Sequence, residues 1–99
     1  MLVLVMAITI KLPYANSLKD KRSIRQSLVS QLKKGFSVSV RETAHQEDYQ
    51  QLHLSLALVC LSELEGEQYA QRIEDFLYDF TLDKSCELQN AMWDILVVE

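Results

Sequence analysis

Ninety-nine residues, 48% hydrophobic and 24% charged, suffice for one folded core and are too few for two. This balance excludes a disordered chain. The longest apolar run, Met1 to Ile10, is about half of the ~20 residues a membrane helix needs, and it lacks the basic start and cleavage site of a signal peptide. The net charge of −4 conceals a division, because residues 1–41 carry +7 and residues 42–99 carry −11. Such asymmetry marks either a partner surface or two elements of opposite sign packed together.

Residues 2–12 (LVLVMAITIKL) read as a strand. Leu2, Leu4, Met6, Ile8, Ile10 and Leu12 share one face, and Val3, Val5, Ala7, Thr9 and Lys11 share the other. A strand apolar on both faces belongs in the middle of its sheet. Pro13-Tyr14-Ala15-Asn16 ends it. Ser17 is a helix N-cap, with Asp20 three positions on to answer it. Ile24, Leu28 and Leu32 form the buried stripe of the first helix, flanked by Leu18 and Val29. Lys33 and Lys34 suit its C-terminal end, and Gly35 is expected just past it.

Phe36, Val38 and Val40 alternate with polar residues, which predicts a half-exposed strand over residues 36–42. Thr43 to Gln51 reads as a long polar loop or an irregular continuation of that strand. Leu52, Leu54, Leu56, Leu58 and Cys60 then alternate with His53, Ser55, Ala57, Val59 and Leu61 as a second candidate central strand. From Gly66 to Phe80 the period becomes helical, with Tyr69, Ile73, Phe76, Leu77 and Phe80 on one stripe. Residues 86–98 form the last strand.

The order β-α-β-β-α-β predicts an α+β, ferredoxin-like domain spanning residues 1–99. It has a four-stranded antiparallel sheet with two helices on one face. The right-handed crossover rule places the first and third strands in the middle, and these are the two strands with the more apolar second face.

With the elements placed, Ser17 to Arg22 (SLKDKR) and Phe36 to Glu42 (FSVSVRE) resemble the YlxP-like family of bacterial domains, over nearly the whole chain. The third strand, at Ala57-Leu58-Val59, adds to the likeness. The resemblance implies the ferredoxin-like fold. Because the family's genes neighbour those of a translation initiation factor and ribosome-binding factor A, it also implies a link to ribosomal RNA or a ribosome-associated protein. This chain departs from the family pattern at two positions. Arg25 stands where members often have an aliphatic residue, and Tyr49 where they often have Trp.

The candidate anion or nucleic-acid residues are Lys19, Lys21, Arg22 and Arg25. Helical geometry puts Lys21 and Arg25 in the apolar sector, so the Lys21 ammonium is expected to emerge where the sheet ends, beside the free N–H groups of the first turn. The alternative is that Lys21 and Arg25 pair with acids of the second helix or snorkel into water. RNA recognition through stacked aromatics is not expected, since neither central strand carries one. Any RNA contact would run through phosphates and be salt-sensitive.

A second candidate is the open sheet face, where Val3, Val5, Ala57, Val59 and Leu61 would form an apolar interface for a homodimer or another protein. The alternative there is a patch covered by Trp93, Tyr14 or the long loop. Catalysis is not expected, because His45 and His53 have no nucleophile or carboxylate at a suitable spacing. The minor alternative is a phosphate-handling hydrolase of the acylphosphatase type, whose phosphate site lies at the same strand-to-helix junction but needs a Gly-rich loop absent here. Glu47 and Asp48 read as a solvated turn. Cys60 and Cys86 lack metal or disulfide spacing and read as buried reduced thiols of a cytoplasmic protein, so no metal and no cofactor is expected.

Overall fold

The first strand, β1 (Leu2–Lys11), buries every second residue in the computed structural model, which describes Met1–Glu99. It is followed by α1 (Leu18–Gly35), β2 (Ser39–Ala44), β3 (Gln51–Cys60), α2 (Glu63–Asp83) and β4 (Glu87–Val97). The strands lie in the order β2-β3-β1-β4, all neighbours antiparallel. The expected ferredoxin-like arrangement is therefore found, with β1 and β3 in the middle. Both helices pack against one side of the sheet, and the core lies between the layers. Leu4 and Ile8 of β1, Leu54 of β3, Leu28 of α1 and Ile73 and Leu77 of α2 are fully buried there.

The helix termini show what the apolar stripes could not. Ser17 caps α1, its hydroxyl accepting from the Asp20 N–H at 3.2 Å. The Asp20 carboxylate accepts from the Asn16 N–H at 2.9 Å rather than from Ser17 itself. Gly35 is the last helical residue and no glycine has positive φ, so the expected left-handed glycine cap is not used. Phe36 ends the helix in extended conformation, donating its N–H to Leu32 O at 2.9 Å.

α2 begins three residues before the predicted start. Ser62 caps it by accepting from the Glu65 N–H, while the Glu65 carboxylate accepts from the Leu61 N–H. As at α1, the acid reaches the residue before the cap rather than the cap itself, a variant of the capping box written in the sequence as Ser62-Glu63-Leu64-Glu65 and hidden by the weak apolarity of the first turn.

β2 is displaced toward the C-terminus from its predicted span. Phe36 and Val38 precede it, because Phe36 serves the helical layer, meeting Tyr69 and Phe76 of α2 edge-on at 6.5 and 6.4 Å between ring centroids. β2 extends instead through Ala44, with an irregular register between Glu42 and Ala44. The long polar segment thus shrinks to residues 45–50.

Candidate functional site

Lys21 is built into the protein rather than presented to a ligand. It is 1% exposed, one turn into α1, and its Nζ donates to the backbone carbonyls of His45 at 2.7 Å and Asp48 at 2.8 Å. Glu42 Oε2 of β2 stands 2.6 Å from the same nitrogen. The ammonium thus faces two carbonyl oxygens and one carboxylate oxygen, one for each of its three hydrogens. The other carboxylate oxygen accepts from Arg25 Nη1 at 2.8 Å.

The loop supplies these carbonyls by its own local structure. His45 turns the chain out of β2 with φ of 56°, a left-handed conformation that non-glycine residues adopt only where surroundings enforce it. Asp48 N–H donates back to His45 O at 3.1 Å, and the Asp48 side chain accepts from the Gln50 N–H at 2.9 Å. Glu47 and Asp48 are exposed, as expected of a turn, but the Asp48 backbone is a structural acceptor.

This geometry corrects two expectations. Lys21 does not emerge at the sheet edge to meet an anion, because its charge and donors are already engaged. Arg25 pairs with β2, not with the acidic second helix, and no ion pair joins α1 to α2. Lys19 and Arg22 remain exposed with no ionic partner. The Asp20 carboxylate beside the first turn of α1 opposes a second negative charge there. Of the predicted basic set, Lys21 staples the loop, Arg25 pairs with Glu42 on β2, and Lys19 and Arg22 face solvent. Lys19→Ala and Arg22→Ala are expected to leave stability unchanged within about 0.5 kcal/mol, checked by urea unfolding.

The side of the sheet away from the helices is uncovered. Trp93 pairs with Met6, whose side chain is buried in the core, and therefore projects to the helix side. Tyr14 is 78% exposed at the β1–α1 junction, and the 45–50 loop folds over Lys21. None of the three shields Val3, Val5, Ala7 or Ala57.

A shallow concavity of about 600 Å³ occupies this face, with Val5, Ala7 and Ala57 near its middle, Arg41 on the β2 side, and Met92 and Asp94 on the β4 side. The small central residues make the hollow, and the longer residues of the edge strands make its rims. Val59 extends the apolar surface and is 65% exposed. Leu61 does not contribute as expected, because β3 ends at Cys60 and Leu61 lies in the turn into α2, 89% exposed.

The remaining candidates for chemistry are dispersed. His45 and His53 meet edge-on at 6.1 Å, and His53 Nδ1 is hydrogen-bonded to Thr9 Oγ1 at 2.9 Å. No cluster of three metal-ligating side chains is present. Cys60 is buried, whereas Cys86 is only half-buried. Burial pushes the Cys86 thiol up, with Lys84 pulling weakly the other way. Cys86 is expected to alkylate more slowly at pH 8 than a free thiol and to gain rate as pH rises, measured by mass spectrometry after timed iodoacetamide exposure.

Comparison with known proteins agrees with this architecture. The chain is similar over its whole length to a de novo designed protein with ferredoxin fold (LFR1 1), with TM-score 0.51, 14% identity and 87% of that chain covered. It is likewise similar to the de novo designed protein Foldit4, with TM-score 0.52, 14% identity and 98% and 99% of the two chains covered. Among natural proteins it is 30% identical over 66 residues to the "Uncharacterized protein YlxP" of Bacillus subtilis (strain 168), covering 67% of this chain and 72% of that one. Residues 3–90 match the family described as "Protein of unknown function (DUF503)". That span contains both stretches, SLKDKR and FSVSVRE, that resemble the YlxP-like family, and the structure joins them through the Lys21–Glu42 ion pair. The chain is a YlxP-like member of the DUF503 family.

Proposed function

We propose that this domain is a non-catalytic interaction module that docks a protein partner on its open sheet face. The observation that carries the proposal is the uncovered apolar hollow around Val5, Ala7 and Ala57, rimmed by Arg41 and Asp94. A contiguous apolar surface exposed on one side of a small domain, edged by charge, has the anatomy of a binding patch. Catalysis would need a nucleophile, a base and an orienting group within hydrogen-bond reach, and the hollow holds no such set.

A second reading rests on a separate observation, the exposure of Lys19 and Arg22 without ionic partners. These two could contact the phosphates of ribosomal RNA, in keeping with the ribosomal link the family resemblance implies. With Lys21 and Arg25 engaged elsewhere, at most two cations of that helix start would contribute, so affinity would be modest and its dependence on salt shallow, with a slope of about −2 in log K against log salt.

Retention on purified ribosomal particles and in cell extract separates the readings. Ala57→Arg should abolish partner capture, while the double variant Lys19→Ala/Arg22→Ala should retain it. Loss in the double variant, retention by Ala57→Arg and a salt dependence that disappears in the double variant would overturn the sheet-face reading in favour of the phosphate reading.

A further inference from the structure

The open face is self-complementary under one particular two-fold rotation. Across the sheet, the register aligns Arg41–Ser55–Ala7–Met92 in one row and Ser39–Ala57–Val5–Asp94 in the next. Arg41 and Asp94 therefore lie on opposite edges of the same face, one row apart. Neither has an ionic partner in its own chain. Along the strands the face also grades from apolar to polar. Val59–Val3–Leu96 forms the row at one end, and His53–Thr9–Asn90 the row at the other.

Two sheets can stack face to face through a two-fold axis lying in the interface either along the strands or across them. An axis along the strands, between β3 and β1, lays β2 of each copy over β4 of the other and β3 over β1. Apolar ends then meet apolar ends. Each Arg41 comes to lie over the opposite copy's Met92–Asp94 stretch. The offset of one row is ~7 Å along the strand, within reach of an arginine side chain. An axis across the strands would instead put β2 over β2 and apolar ends on polar ends, leaving all four charges unmatched. The charge positions and the apolar gradient, two separate features, select the same axis.

We propose that the partner of the open face is a second copy of this chain, in a two-fold face-to-face dimer closed by reciprocal Arg41–Asp94 pairs. This inference rests on the sheet-face reading above and names its occupant. Four strands at ~4.8 Å spacing and ~25–30 Å of strand length give about 500 Å² per copy, or about 1,000 Å² in all, at the lower end for specific interfaces. The dimer is accordingly reversible and weakened by salt.

Sedimentation across a range from about 1 to 500 μM, at low and high salt, tests it for wild type, R41D, D94R, the double variant R41D/D94R and A57R. Circular dichroism confirms the fold of each. Wild type should dimerise, and each charge reversal should weaken association by at least about tenfold by setting like charges against each other. The double variant should recover. An equimolar mixture of R41D and D94R should also associate, because each single variant then supplies the charges the other needs.

A dimer lost in A57R but insensitive to both reversals would overturn the two-fold pairing while keeping the face as the docking surface. A dimer that persists in A57R would overturn both. Wild type monomeric at every concentration would overturn the self-partner alone, leaving the face reading to stand or fall on partner capture.

Discussion

Replacing the buried Lys21 with methionine is expected to lower stability by about 3 kcal/mol, the largest effect of removing any single charge in the chain. Methionine keeps the aliphatic stem, so little packing is lost. The substitution leaves the Glu42 carboxylate, whose side chain is 9% exposed, with Arg25 alone. It also removes the ammonium donor from the carbonyls of His45 and Asp48, which keep only the backbone N–H groups of Asp48 and Gln51, at 3.1 and 3.4 Å. Uncompensated buried polar groups carry the full cost of their desolvation.

For a domain of this size that loss corresponds to roughly 12–24 °C in Tm, read by thermal circular dichroism. A fall of less than about 4 °C would show that the cluster is not a structural staple. The pair variant Lys21→Met/Glu42→Leu should recover much of the loss, because both charges leave together. Arg25→Ala should cost under about 1 kcal/mol, since Arg25 is 32% exposed and its pairing is screened by water.

The second large effect is expected at Gly66, in the first turn of α2 and fully covered by the sheet. A Cβ there would lie 2.7 Å from Ile95 Cδ1, 3.2 Å from Ile95 Cγ1 and 3.3 Å from Cys60 Sγ. Glycine thus lets α2 approach β4 and the end of β3 more closely than any other residue would. Gly66→Val, with two further methyls and a stiff χ1, is expected to destabilise by about 2–3 kcal/mol.

Gly66→Ala is the informative control. Alanine gains about 1 kcal/mol of helix propensity, and the methyl it meets belongs to the half-buried Ile95 on an edge strand, which can turn aside. The two terms should nearly cancel. Equal melting of wild type and Gly66→Val would mean that helix–sheet spacing does not depend on this residue.

Both positions bear on function through the hollow. The staple at Lys21 sets where the 45–50 loop lies, which keeps that loop away from the open face. Gly66 sets how tightly the opposite face is sealed. Stability variants at these sites should therefore retain the binding behaviour of the sheet face while their folded population lasts.

Local pattern was sufficient for the architecture, because burial repeats every second residue in a strand and roughly every fourth in a helix. The alternation of β1 and β3 and the stripe through Ile73 and Leu77 follow directly from that rule, and with them the strand order. Strand limits near β2 were not legible in this way. Phe36 and Val38 alternate as a strand does, yet Phe36 is drawn to Tyr69 and Phe76, aromatics more than thirty residues away in the chain.

The open apolar face was likewise present in the odd-numbered residues of β1 and β3. Whether anything covered it depended on where Trp93 and the 45–50 loop settled. The placement of charge was decided by tertiary structure alone. Helical geometry put Lys21 in the core-facing sector, but a periodicity cannot say what acceptors wait there. The acceptors are a carboxylate on β2 and two backbone carbonyls, which no side-chain pattern records. Arg41 and Asp94 gained meaning in the same way. They are 53 positions apart in the sequence, and only the sheet order sets them on opposite edges of one face.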